Sequence, residues 1–135
     1  MNQLNVMRSV YVLLISVNRT TALDVGTLGK VDFKKGSYAY VGSAQNDLKH
    51  RVERHLRENK PKFWHIDYLL HDDNARICKV LYREMGKPEE CKIAKQLSVD
   101  HVPVKSFGSS DCHCVSHLFK LQSKFPRRFM QELAM

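Results

Sequence analysis

Tyr40, Arg51 and His55 are residue types well suited to phosphodiester chemistry, within sixteen positions of one another. The segment Gly36-Ser37-Tyr38-Ala39-Tyr40-Val41-Gly42-Ser43-Ala44 reads as a buried strand ending in a tight glycine turn, and a strongly basic helix follows it. Arg51 and His55 are four residues apart, so they project from one helical face. A phenol can accept or relay a proton. A guanidinium neutralises phosphate charge, and an imidazole titrates near neutrality.

The elements that must position these groups are visible as patterns. Ser9–Val17 is β-branched and aliphatic and predicts a central strand. Thr21–Val25 and Lys30–Phe33 predict two short strands broken by Gly26 and Gly29, and Ser37–Val41 the next, together a meander. Asn46 or Asp47 can cap a helix running to about Glu58. Leu48, Val52 and Leu56 mark its core face, with Arg51 and His55 at the edge of that stripe. Trp64–Leu70 predicts a short helix or turn with Trp64 as a core anchor, and Ala75–Arg83 another strand. Pro88 opens a helix to about Leu97, with acids in its favourable first turn. Phe107–Ser116 is a polar loop, His117–Leu121 a short strand and Pro126–Ala134 a terminal helix. Strands first, then helices interleaved with strands, give an α+β (mixed α/β) fold: a small, mostly antiparallel central sheet flanked by helices.

At 135 residues the chain fits one domain, with a core over about 9–119 and an extension over about 120–135. The formal charge is +8, from 22 Lys+Arg against 14 Asp+Glu. Its distribution matters more than its size. Between Asp47 and His65 six cations (Lys49, Arg51, Arg54, Arg57, Lys60, Lys62) face three acids, and Lys120–Arg128 holds four cations and no acid. Two concentrated basic regions favour a nucleic-acid partner over a membrane surface. No apolar run approaches the length of a bilayer span, and the first residues lack the charged and apolar regions of a secretion signal, so a cytoplasmic setting is expected.

In that setting Cys78, Cys91, Cys112 and Cys114 are expected as thiols, buried or metal-bound. Cys112, Cys114 and His117 have C-x-C-x₂-H spacing, and with Cys91 they offer ligands for Zn²⁺. The bland alternative is two packed thiols, an exposed His113 and a hydrogen-bonded His117.

Taken in order, these segments resemble a known superfamily. Ser9-Val10-Tyr11 and Tyr40-Val41-Gly42, followed by Arg51 and His55, resemble the two tripeptides and the basic helix of the GIY-YIG nucleases. Trp64–Leu70, Glu90-Cys91 and Phe107–Phe119 look like the small stand-alone Uri-type branch, so the likeness spans about Ser9 to Phe119. Ser9 stands in place of the first glycine, and the superfamily's late asparagine has no clear equivalent, with Ser109, Ser110 or Asp111 as stand-ins.

The resemblance implies a metal-dependent endonuclease hydrolysing DNA, ahead of RNA. Tyr11 and Tyr40 would orient or activate water, Arg51 would stabilise phosphate charge, and His55 would relay a proton or hold a tyrosine. Glu90, or else Glu89 or Glu84, would bind Mg²⁺ or Mn²⁺. Gly42, Ser43, Lys49, Arg54, Arg57, His65, Ser110, Asp111 and His117 would meet the substrate. The competing readings are a nucleic-acid-binding module without catalysis and a zinc-stabilised interaction domain.

Overall fold

The computed structural model describes residues 8–110, 112–126 and 130–134. Its frame is a six-stranded sheet in the order β6-β7-β4-β1-β5-β8, with every neighbouring pair antiparallel. The central pair is β1 (Ser9–Val17) and β4 (Gly36–Ala44), and β5 (Ala75–Glu84) flanks β1. The edges are β7 (Leu118–Lys120) beside β6 (Val102–Pro103), and β8 (Gln131–Glu132) on β5. β2 (Thr21–Asp24) and β3 (Lys30–Phe33) pair only with each other. The expected meander is therefore replaced by direct β1–β4 pairing, with β2–β3 as a separate ribbon between them.

β1 is apolar on both faces because both faces are covered. Tyr11, Leu13, Ile15 and Val17 join a core with Leu48 and Val52 of α1 (Leu48–Leu56) and Ile66 and Leu69 of α2 (His65–Leu70). Val10 and Val12 join a second core with Ala94 and Leu97 of α3 (Pro88–Asp100). The result is a mixed α+β domain with helices on the two sides of the sheet, as the sequence predicts. Among the described residues no helix is long and apolar enough to cross a membrane.

Two expectations are corrected by pairing. The predicted C-terminal helix over Pro126–Ala134 is not present in its described part. Gln131 and Glu132 instead pair with Tyr82 and Leu81, and the Leu133 N–H donates to Val80 O at 2.8 Å. An open strand edge there outweighs local helix propensity. The glycine turn at Gly42 is also absent, since β4 runs straight through it to Ala44.

Gly42 sits opposite Tyr11 in the β1–β4 register. A Cβ there would stand 2.6 Å from the Tyr11 ring and from its hydroxyl. Glycine is therefore required for room, so that the phenol can lie across the neighbouring strand. Gly42→Ala should destabilise the fold by about 1–3 kcal/mol. The loss should shrink markedly in a Tyr11→Val background, as urea unfolding of the four proteins will show.

Candidate functional site

A depression of about 380 Å³ opens where β1 and β4 meet the first turns of α1 and α3 and the 104–117 loop. Tyr11, Tyr40, Gly42, Ser43, Arg51 and Glu90 line it. His65, Ser110 and His117 line it as well. Asp111 lies outside the described residues. Of Glu84, Glu89 and Glu90, only Glu90 lines the depression. Glu84 is exposed on β5 and Glu89 pairs with Lys92 at 3.0 Å, whereas Glu90 turns into the depression.

His55 lies deeper than the edge position expected for it, with only 2 % of its surface exposed. Its Nε2 is 2.7 Å from the Tyr11 hydroxyl, and its ring lies 6.3 Å from that of Tyr40. Burial drives its pKa from the ordinary 6.5 down to about 3, with Asp67 opposing the shift and Arg51 reinforcing it. The imidazole is thus neutral at pH 7. When Nε2 accepts from the phenol, Nδ1 carries the proton, and Nδ1 is buried with no hydrogen-bond partner among the described residues. Burial also pushes both phenols above their ordinary value, while Arg51 pulls them back.

The basic helix divides into structural and available cations. Arg51 donates to Ser43 O at 3.1 Å and stacks on Trp64 with 4.8 Å to the ring centroid. Arg54, expected on a nucleic-acid backbone, is engaged elsewhere. Its two terminal nitrogens bind the Asp67 carboxylate at 3.0 and 3.1 Å, and it stacks on Trp64 at 4.4 Å. Lys60 donates to His55 O at 3.1 Å, satisfying a carbonyl at the end of α1. Lys49 and Arg57 are exposed outside the depression. Arg57 lines a different, larger groove of about 750 Å³ with Leu23, Tyr68 and Asp72, which holds neither site tyrosine nor any thiol.

The 104–117 loop is pinned by its own geometry. Gly108 has φ +70° and its N–H donates to His65 Nδ1 at 2.9 Å. A Cβ there would stand 3.2 Å from Tyr40. His117 N–H donates to Phe107 O at 2.8 Å, and the Val41 N–H donates to His117 O at 2.9 Å. This fixes the His117 imidazole between two groups. Nδ1 meets Glu90 Oε2 at 2.8 Å, and Nε2 lies 3.4 Å from Cys112 Sγ and 4.0 Å from Cys91 Sγ.

Cys91, Cys112, Cys114 and His117 form a Cys₃His group whose ligand atoms all lie within 4.8 Å of one another, and this group could hold a metal ion. The sequence offers Cys112, Cys114 and His117 by spacing, with Cys91 as a further candidate. Cys91 is placed by α3, where it follows Glu90 directly. Burial raises the Cys91 thiol, and it raises Cys114 to about 12. Cys112 is drawn below its usual range despite burial, by hydrogen bonds from Cys114. Three thiols this close cannot all ionise without added positive charge.

Several groups in the depression escaped the sequence reading. Trp64, expected as a plain core anchor, forms its wall, and Phe63, Lys87 and Gly108 border it. Phe63 and Lys87 belong to no motif, and Trp64 and Gly108 lie in motif segments whose pattern does not show that they face the site, so only position in the fold identifies them.

The buried imidazole sets a pH dependence. Its folded pKa lies below the ordinary one, so between about 3 and 6.5 the unfolded chain takes up a proton that the folded chain refuses. Stability should fall as pH drops from about 6.5, with no contribution from this group above it. A His55→Gln variant should show a flatter acid limb in urea melts between pH 4 and 7. An unchanged slope would mean that His55 is not held neutral.

No curated protein and no solved structure matches the chain. Residues 10–134 match the family described as Domain of unknown function DUF123, and the chain belongs to that family.

Proposed function

We propose that the chain is a divalent-metal-dependent endonuclease of the GIY-YIG kind, hydrolysing phosphodiester bonds in DNA, and that its Cys₃His group holds zinc. One observation carries the reading. Two phenols, a guanidinium and a carboxylate, drawn from positions 11 to 90, line one depression, and the His55 imidazole is buried behind it on the Tyr11 hydroxyl. That set can orient water, move a proton and compensate charge on a phosphate.

The donor set fits both metals. Glu90 commits Oε2 to His117 and leaves its other oxygen for a hard cation. Mg²⁺ and Mn²⁺ suit such a site, because Mg²⁺ keeps waters and takes one or two carboxylates plus substrate phosphates. When bound, the ion would supply Lewis-acid charge to the phosphate. For the thiol group, tetrahedral Zn²⁺ implies a ligand-to-ligand edge of about 3.6 Å between sulfur and nitrogen. The distances of 3.4 and 4.0 Å bracket it. A carboxylate on the outer nitrogen of a metal-binding histidine is the usual second-shell partner, and Glu90 occupies that place. A cytoplasmic setting would keep the thiols reduced.

In this reading Arg51, already directed by Ser43 and Trp64, pairs with the scissile phosphate. Tyr11 orients the attacking water and passes a proton toward His55 Nε2, and Tyr40 is the second orienting hydroxyl. Burial keeps phenol and imidazole neutral before the transfer. Tyr11 takes a proton from the water as it gives its own to Nε2, and His55 becomes the imidazolium. The negative charge of the incoming phosphate helps, since it favours the imidazolium. Lys49 and Arg57 add exposed positive charge for the DNA backbone.

Supercoiled plasmid incubated with Mg²⁺ or Mn²⁺ should be nicked. Arg51→Ala and Tyr11→Phe should each lower kcat/KM by about 10²–10³-fold. Cleavage at the parent rate in both variants would refute the assignments. Salt-sensitive binding without scission under any metal would leave a binding module in place of a nuclease. Separately, the purified protein should carry one zinc per chain. Glu90→Gln should weaken its retention about 10–100-fold against a competing chelator. Equal retention would remove Glu90 from the metal's surroundings.

A further inference from the structure

We propose that Phe63 is a stacking platform for one unpaired nucleobase at the rim of the site. The preferred substrate is then a strand with an unpaired base beside the scissile phosphate. The inference rests on the nucleic-acid reading above and adds the substrate class.

Phe63 is 76 % exposed, the one aromatic among the large exposed apolar side chains of the described residues. It does not sit on an arbitrary part of the surface. It borders the depression beside Trp64 and Arg51. Its ring meets Trp64 edge-to-face, with centroids 5.5 Å apart and planes at 68°. Trp64 carries the guanidinium groups of Arg51 and Arg54, so the open aromatic surface is that of Phe63.

The segment that carries Phe63 is held firmly. The Phe63 and Trp64 N–H groups both donate to Asp67 Oδ2 at 2.8 Å. Asp67 is 1 % exposed and is clamped by Arg54. Presenting an exposed ring on a rigid mount lowers the ordering cost of binding.

The placement also reaches the chemistry. Rings follow one another from Phe63 to Trp64, from Trp64 to His55 at 5.8 Å and from His55 to Tyr11 at 5.6 Å. A base resting on Phe63 therefore brings its own phosphate toward Arg51, which lies over the next ring in the row. Every nucleobase has a π-face, so such a platform is indifferent to sequence. A base inside an intact duplex already has both faces stacked and has nothing to offer Phe63. Selection for an unpaired base follows from that difference.

Trp64 is the chain's one tryptophan, so its emission reports on the platform directly. The experiment titrates the full chain, with no Mg²⁺ or Mn²⁺ added, with a 12-nucleotide oligothymidylate and with a blunt 12-base-pair duplex. The single strand should quench the emission. Phe63→Ala should weaken single-strand binding about 5–150-fold and leave duplex binding within about twofold. Phe63→Tyr should bind like the parent, and Phe63→Leu, which keeps apolar bulk without a ring, like Phe63→Ala. Far-ultraviolet circular dichroism should be unchanged in all three.

Single-strand binding unaffected by Phe63→Ala would overturn the platform while leaving the nucleic-acid reading intact. Equal loss for both DNAs, or parent-like binding by Phe63→Leu, would do the same. Failure of the parent protein to bind either DNA would overturn the nucleic-acid reading and the platform with it.

Discussion

The contact between Glu90 and His117, 2.8 Å from oxygen to nitrogen, joins the Cys₃His group to the depression lined by Tyr11, Tyr40 and Arg51. One imidazole faces the thiols through Nε2 and the carboxylate through Nδ1. That carboxylate in turn faces the tyrosines and Arg51 across the depression. Both partners are held from behind. Glu90 lies in the first turn of α3, which Pro88 opens and where a negative charge meets the positive end of the helix. His117 is fixed by backbone bonds to Val41 and Phe107. The pair also explains why the His117 imidazole sits above its ordinary pKa. Burial alone would lower it, and the neighbouring carboxylate more than offsets that.

A fully buried carboxylate, Asp67, organises the opposite wall. Asp67 collects the two Arg54 nitrogens and the N–H groups of Phe63 and Trp64, tying α1 to α2. Hydrogen bonds hold it below the usual carboxylate range against the cost of burial. Part of the basic character of α1 and of the segment that follows it therefore serves the fold. Arg54 and Lys60 are used in architecture, and Arg51 is aimed by Ser43 and Trp64. Net charge measures attraction for polyanions poorly when its members are already engaged.

The strands and helices were largely legible because their hydrophobic patterns are strong and local. β1, α1, α2, β5 and the start of α3 follow from such patterns. Gly42 was misread as a turn because a glycine required for space and one required for a left-handed backbone look alike in sequence. Only the Tyr11–Gly42 register separates them. The depth of His55 was missed because the phenols that bury it come from strands far away in sequence. Cys91 completes the Cys₃His group only through the packing of α3 against the 104–117 loop. The last strand defied helix propensity because a free edge on β5 awaited it. Short-range pattern identified the elements, and long-range pairing decided which side chains meet.

The most direct measurement is a crystal structure of the zinc-loaded protein soaked with Mn²⁺, with anomalous data collected at both metal edges. The account predicts two peaks on opposite sides of one side chain. A zinc signal should lie among Cys91, Cys112, Cys114 and His117, and a manganese signal beside the Glu90 oxygen that His117 leaves free. Manganese bound away from Glu90, or a Cys₃His group that takes no zinc, would contradict it.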